Sequence, residues 1–438
     1  MKTRSRNKAT TGLVNVEAPS EATRRPPPTK YNSKVPLPNV TRLDGPAGPS
    51  QARRSRRVQE ETGEEKDDRR TEEWYRRVPV FRIRGVYLSH LLERGKNTAE
   101  GKRIAESQMN AMLDWEADAG SMIVCDEDGQ VLVCVFGWSL TGGKVLRKLG
   151  EPINFKSAPY YPGSRGRTLC DVKESSATDR GTYHDGFTPY QIKRYHTVMQ
   201  GVSSLVTPVA NARDIRHPAD AFMAYPEGRE GVDEGSSAHE SAGVKHFVHG
   251  WPMQGHPHGV LYPSGDMVKG SFAALAASHY FEATKPLSYA VRARFKMCFP
   301  QYFEKYDKAF KAGQFNFSDP GPFLGRALVW KLQVNVHQDG LDDGPAGILP
   351  SGYFDGGELY LPDLKLKLSY RPRDLVFLMA GHLFHAVGRW SPRDDGDDLS
   401  PGRAGTVFFF PKASFERLEG KPPRWNIDTV SGRLPYTF

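Results

Sequence analysis

The sequence predicts an α+β chain in which a helical layer precedes an all-β module, with a disordered basic tail in front of both. Three observations predict it. Residues 1–75 hold few large apolar side chains and much Pro and Ser, so they lack the apolar surface a packed core requires. In segments between Thr98 and Phe310, apolar residues recur at spacings of three and four, the period of a helix with one buried face. From about Gly325 to Ala413 the period becomes two, in short runs separated by Gly, Pro and Asp.

The tail comes first in the chain and holds much of its charge. It carries 16 Lys+Arg against 11 Asp+Glu, a net of +5 out of +9 for all 438 residues. Such a segment favours an acidic partner. Its run "ARRSRR", Ala52–Arg57, reads either as a solvated linker or as a nuclear import signal, the latter implying a nuclear protein. A hydrophobic fraction of 38%, below the globular norm, fits a chain that is unfolded in part. No apolar run approaches the roughly 20 residues a helical membrane span needs, and the N-terminus is too polar for a signal peptide. Cys125, Cys134, Cys170 and Cys298 form no CxxC pair, which argues against a zinc cluster and a disulfide scaffold. A monomer in a reducing compartment, with no disulfide-linked partner, is expected.

Order is expected from "VPVFRIRGVYL", near Val78, within a single domain spanning residues 76–438. "TAEGKRIAESQMNAMLDWEAD" predicts a helix opened by a threonine cap. "SMIVCDEDGQVLVCVFGW" predicts a hairpin about Asp-Glu-Asp-Gly, and "TPYQIKRYHTVMQGVSSLV" another helix. Residues 225–262 show no periodicity and predict a long polar insert. Its His239, His246, His249, His256 and His258 match no standard zinc spacing, so the segment reads as a wet surface that could touch a ligand. "MVKGSFAALAASHYFEAT" and "AVRARFKMCFPQYFEKYDKAF" predict two further helices, the second kinked or split at Pro300.

The β module carries the chemistry. Along "ALVWKLQVNVH", alternation puts Trp330, Leu332, Val334 and Val336 on one face and Lys331, Gln333, Asn335 and His337 on the other. The second face is too polar for a core, and its parity carries forward to Asp339. His337 and Asp339 make a chelating pair, which leaves a divalent metal short of ligands. "RPRDLVFLMAGHLFHAVGRW" offers the third: His385 at a strand start is preferred to His382 in the preceding turn. Two histidines and one carboxylate with open positions are the donor set of non-haem Fe(II) oxygenases.

Those open positions need a co-substrate. Arg403 in "SPGRAGTVFFF" starts a further strand, where a guanidinium can clamp a carboxylate through two parallel hydrogen bonds. A dicarboxylic 2-oxo acid would chelate iron at one end and meet Arg403 at the other, which points to 2-oxoglutarate. Asn335, on the polar face with His337, is assigned with Arg403 to the cofactor-binding residues. The glycine pair in "YFDGGELYLPDL" suits the sharp reversal of a double-stranded β-helix, or jelly roll, between the two halves of such a site.

The order "VHQDGLDD…FDGGELYLP…DLVFLMAGHLFHAV…GRAGTVFFF" resembles the TET/JBP group of 2-oxoglutarate/Fe(II)-dependent dioxygenases. It is most similar to the fungal branch that oxidises 5-methylcytosine in DNA. The resemblance covers roughly residues 320–415. It implies a jelly-roll core, Fe(II), 2-oxoglutarate with ascorbate as a stimulant, and methylated double-stranded DNA as partner. It also implies that Asp342, five residues after His337, hydrogen-bonds the cytosine edge; the alternative is an acidic turn residue beside Asp343. Phe409, six residues after Arg403, would stack on the flipped base, or else be one of three consecutive core phenylalanines. Parity places Arg403, Gly405, Val407 and Phe409 on one face. The chain departs from animal TET proteins at Pro411, where they place a base-contacting histidine, and in lacking their cysteine-rich zinc region. The resemblance thus implies DNA demethylation chemistry by base flipping, to 5-hydroxymethylcytosine or beyond. N6-methyladenine, RNA, or a protein or small-molecule substrate remain alternatives, as does a non-catalytic chromatin-binding module.

Overall fold

The computed structural model describes residues 62–118, 120–137, 184–209, 243–253, 255–331, 333–392 and 402–435. The basic run at 52–57, Cys170 and residues 225–242 with His239 lie outside the described residues. Glu60–Phe438 form one compact unit.

Its first helix corrects the expected onset of order near Val78. Helix α1 spans Gly63–Arg77 and opens with a capping box, in which Thr62 and Glu65 satisfy each other's backbone N–H. Trp74, near its end, is 2% exposed and stacks on Phe136 with ring centroids 3.8 Å apart. The charge-rich composition hid one anchored face. Strand β1 (Val80–Arg82), helix α2 (Leu88–Glu93) and helix α3 (Ala99–Ala111) follow, with Thr98 capping α3 as its sequence predicts. The expected hairpin is β2 (Met122–Cys125) against β3 (Val131–Phe136). Helix α4 (Pro189–Leu205) carries a second capping box, between Thr188 and Gln191.

The expected insert is corrected over its described part. Residues 243–262 contain β4 (Gly243–Val248), β5 (Trp251–Pro252) and β6 (Leu261–Tyr262). Nor is His249 on a wet surface: it is fully buried, its Nε2 3.0 Å from Asp319, which in turn accepts from Arg326 at 2.8 Å. A desolvated histidine is affordable in the core because it is hydrogen-bonded on both ring nitrogens. After the short α5 (Gly265–Val268), the two expected helices are drawn differently. One helix, α6 (Ser271–Cys298), runs through Pro286, and α7 (Pro300–Gly313) begins with Pro300 in its first turn. An internal proline costs about 3 kcal/mol. Burial of Tyr280, Phe281, Leu287, Val291 and Phe295 on one helix face, at about 1.5–3 kcal/mol each, outweighs it.

The β module holds β7 (Gly325–Trp330), β8 (Val334–His337), β9 (Ala346–Gly356), β10 (Leu359–Leu361), β11 (Leu366–Leu368), β12 (Leu375–Leu378), β13 (His385–Val387), β14 (Trp390–Pro392) and β15 (Gly402–Phe409). Helices α8 (Lys412–Leu418) and α9 (Trp425–Asp428) close the chain. Among the described residues, a large sheet runs β1-β2-β3-β12-β9-β15-β7-β4, with β14 paired to β9, and a small one runs β11-β10-β13-β8. Side chains of both sheets and of α4, α6 and α7 share one hydrophobic cluster.

One strand prediction fails instructively. The run 327–337 is not a single alternating strand. It breaks at Lys331, which takes φ +55°, and its halves go to different sheets: β7 to the large one, β8 to the small one. The backbone N–H of Lys331 donates to the Arg403 carbonyl at 2.7 Å at this crossing. Parity read across the break therefore does not hold, although Val336 is buried and His337 nearly so.

Candidate metal centre and adjoining cleft

Residues His337 and His385 end β8 and start β13, which pair antiparallel with those two residues directly opposite. Directly opposed side chains on one sheet face are close enough to share a ligand. The two imidazole centroids stand 4.2 Å apart. Asp339 follows β8 in a turn whose N–H donates to the Ala380 carbonyl at 2.9 Å. Its carboxylate lies 3.4 Å from His337 Nε2 and 3.7 Å from His385 Nε2. One ligand atom from each of the three residues falls within 4.8 Å of the others.

Ring orientation is set by the backbone. His337 Nδ1 lies 2.8 Å from the Asn335 carbonyl, and His385 Nδ1 lies 3.0 Å from the Leu383 carbonyl. A carbonyl can only accept, so each Nδ1 carries a proton and each Nε2 is the ring nitrogen turned toward the site. This is how ligand histidines are held ready for a metal. Two imidazoles and one carboxylate suit a divalent transition ion such as Fe(II), so the residues fit the group expected from the sequence. Asn335 is itself exposed, and what it contributes here is that carbonyl.

His382 stands apart from the cluster. It is buried, and burial, helped by the Lys96 charge, lowers its pKa to about 4, so its ring is neutral at pH 7. What the site uses is its backbone carbonyl, which accepts from Gln338 and Arg94.

Arg403 opens β15, paired to Gly352 of β9. It is buried, its guanidinium carbon 5.4 Å from the Tyr370 ring and 5.5 Å from the Phe354 ring. Burial pulls its pKa below the usual value, because a desolvated cation is disfavoured unless an anion answers it. The expected parity along β15 holds. Thr406 and Phe408 turn to the helical side, where Thr406 meets the hydroxyls of Tyr195 and Tyr280 and Phe408 packs on Phe323. Arg403 and Phe409 occupy the opposite face.

Phe409 stands at the edge of a cleft of about 1110 Å³. It is 7% exposed, with His246 and Trp251 set edge-on to its ring at 6.4 and 6.2 Å. Gly325 is required beneath it, since a Cβ there would come within 2.6 Å of the ring. Asp342 lines the same cleft and forms a β-bridge with Pro411, so the structure brings both expected substrate residues to one cavity. Gly340 and Leu341 lie on its wall, directly after Asp339. Lys245, Lys269 and Lys412 line it together with Asp266, Asp342 and Glu416, Lys245 pairing with Asp266 and Lys412 with Glu416, so the lining carries both signs of charge. Sequence reading had singled out the segment containing His246 and Trp251 as one that could touch a ligand, without ranking its residues. Tyr370 and Phe354 went unnoticed, because nothing local links them to Arg403.

Among solved structures, the chain is similar to NgTET1 in complex with 5mC DNA, at 13% identity and a TM-score of 0.37, covering 75% of this chain and 92% of that one. A putative 2OG-Fe(II) oxygenase family protein from Caulobacter crescentus is similar at 11% identity and 0.27, over 51% and 74%. The viral collagen prolyl hydroxylase vCPH from Paramecium Bursaria Chlorella virus-1 is similar at 14% and 0.15, over 19% and 55%. No protein-family model and no curated protein matches the chain.

Proposed function

We propose that the chain is an Fe(II)/2-oxoglutarate-dependent dioxygenase that oxidises 5-methylcytosine in DNA to 5-hydroxymethylcytosine. One observation carries the reading: His337, Asp339 and His385 converge to within 4.8 Å with each Nδ1 tied to a carbonyl and each Nε2 turned inward. The small sheet that bears them and the large sheet correspond, in this reading, to the two halves of a jelly roll. Bound Fe(II) supplies O2 activation coupled to oxidative decarboxylation of 2-oxoglutarate, so that methylcytosine, 2-oxoglutarate and O2 become hydroxymethylcytosine, succinate and CO2.

The protein's own residues bind, orient and exclude. His337, Asp339 and His385 hold the ion, and Arg403, backed by Tyr370 and Phe354, takes the distal carboxylate of the co-substrate. A methyl group within a stacked duplex cannot reach a recessed ion, so the nucleotide must swing out of the helix. The cleft beside Asp339 is where it would go. Phe409, with Trp251 and His246, offers aromatic surface to a planar base, and Asp342 offers a carboxylate to a donor on its edge. The lysines of the cleft supply phosphate affinity that falls as salt rises. A nuclear site of action and a role in DNA demethylation belong to the same proposal.

The test is incubation of the full chain with Fe(II), 2-oxoglutarate, ascorbate and a set of methylated oligonucleotides, read by nucleoside mass spectrometry. Hydroxymethylcytosine formed with stoichiometric succinate is expected. Succinate released without any oxidised base would overturn the DNA substrate and leave a hydroxylase of a protein or small molecule. Oxidation of N6-methyladenine or RNA alone would overturn methylcytosine.

A further inference from the structure

The metal-binding turns lie on two paired strands of the small sheet, and both are also bonded to one loop from much earlier in the chain. We infer that Arg94, Lys96 and Asn97, in the loop between α2 and α3, are positioning residues that set the geometry of the His337–Asp339–His385 centre. The inference rests on the metal-centre reading above and deepens it.

Gln338 is the residue between the two ligands His337 and Asp339, and it is 1% exposed. Asn97 bonds to it at three points. The Asn97 N–H donates to Gln338 Oε1 at 2.7 Å, Asn97 Nδ2 donates to the Gln338 carbonyl at 2.9 Å, and the Gln338 N–H donates to Asn97 Oδ1 at 2.8 Å. Gln338 Nε2 then donates to the His382 carbonyl at 2.6 Å, joining the first ligand turn to the second. Arg94 fastens that second turn. It pairs with both carboxylate oxygens of Asp363, at 2.6 and 2.8 Å, and donates to the His382 carbonyl at 2.8 Å. The same Asp363 accepts from the N–H of Phe384, the residue before His385, at 2.7 Å. Lys96 Nζ reaches the carbonyls of Gly340 and Asp342, just past Asp339, at 3.3 and 3.2 Å.

The loop thus bonds to the chain beside each of the ligands. Its bonds are buried or half-buried, and several involve a charge, the class that contributes most to holding a geometry. A metal site loses affinity when the shell behind its ligands loosens, because the donors must then be ordered on binding. Asn97 is also suited to its backbone: it takes φ +51°, a left-handed conformation that asparagine tolerates better than most residues.

Left-handed geometry makes a clean test possible. Asn97→Gly keeps that backbone at no steric strain and keeps the main-chain donor, while removing both side-chain bonds to Gln338. Titration of metal-free protein with Co(II) or Mn(II), followed by calorimetry and, for Co(II), by its visible bands, reads the centre without any turnover. The dissociation constant is expected to rise about tenfold relative to the unmodified chain, with altered Co(II) bands and a melting temperature of the metal-free protein little changed. A folded Asn97→Gly protein with unchanged affinity and bands would overturn the inference, whatever its melting temperature. Should that variant not fold, Lys96→Met, which retains the apolar stem, decides in the same way: weaker metal binding supports the role, unchanged binding overturns it. Absence of metal binding by the unmodified chain is a different result, and it would sink the metal centre itself.

Discussion

The metal centre and the cleft beside it share the Asp339–Asp342 turn but are built on opposite plans. Around the centre, each ligand ring is held by a backbone carbonyl, and the turns that carry the ligands are sewn to Asn97, Arg94 and Asp363. In the cleft, the contacts are aromatic edges and lysines: Phe409 against His246 and Trp251, with half-buried Lys245 and exposed Lys269 and Lys412 around them. The contrast follows from what each must bind. A small ion tolerates little error in donor position, whereas a large, planar partner is held by area and by charge that need not be exactly placed in advance of contact.

Breaking the centre should therefore be all or none. His337→Ala or Asp339→Ala removes one of three ligands, and oxidation is expected to fall below detection while circular dichroism and cooperative melting persist. Measured activity near the unmodified level would show that the metal is held elsewhere. His385→Ala should match them, and an active His385→Ala beside a dead His382→Ala would reassign the third ligand.

Arg403 stands between the two plans, a rigid charge for a small anion. Arg403→Lys removes its fork of donors, and the KM for 2-oxoglutarate should rise about 10- to 100-fold, the worth of one or two charge-assisted hydrogen bonds. An unchanged KM would move co-substrate binding away from β15.

The cleft should respond by degrees. Phe409→Ala is expected to lower kcat/KM for methylated DNA about 5- to 100-fold, as the loss of one base-stacking surface does, and to leave 2-oxoglutarate binding nearly unaltered. An equal loss on both would make Phe409 a core residue only. Trp251→Ala should act in the same direction more weakly, since Trp251 is half-exposed.

The smallest effects are those of pH on stability, and two groups, one buried and one half-buried, pull in opposite directions. His382 has its pKa lowered to about 4 by burial, so the unfolded chain binds its proton more readily. Its contribution to stability is present above pH 6.5 and is lost as pH falls through 6.5 toward 4. Burial raises Asp118 to about 6, so this group favours the folded state only below pH 3.8, and that advantage disappears as pH rises through 6. Asp118→Asn should accordingly raise the melting temperature at pH 7 and leave it little changed at pH 4. A gain that is the same at both values would refute the burial argument.

Much of this was legible in the residues. Thr98 announces its helix because a cap acts within three residues, and Asp-Glu-Asp-Gly announces the β2–β3 turn for the same reason. Pro300 was recognised as a break, whereas Pro286 was not seen to be tolerated, since that depends on what the rest of α6 buries. Trp74 sits in a charge-rich stretch, and its role depends on Phe136, a distant residue stacked against it. The strand 327–337 was misread because alternation says nothing about which sheet a residue joins, and the crossing at Lys331 changes sheets.

The sequence by itself determined which donors exist and roughly where each sits on its own element: His337 at a strand end, Asp339 two residues on, His385 and Arg403 each at the head of a strand. Local hydrogen bonding and periodicity are short-range, so they can be read from neighbours. Only the tertiary structure decided that β8 and β13 lie side by side, that His246 and Trp251 face Phe409, and that Asn97 is bonded to a residue 241 positions away. Those contacts arise from burying apolar faces of distant elements together, a collective choice of the whole chain that no single stretch of it encodes.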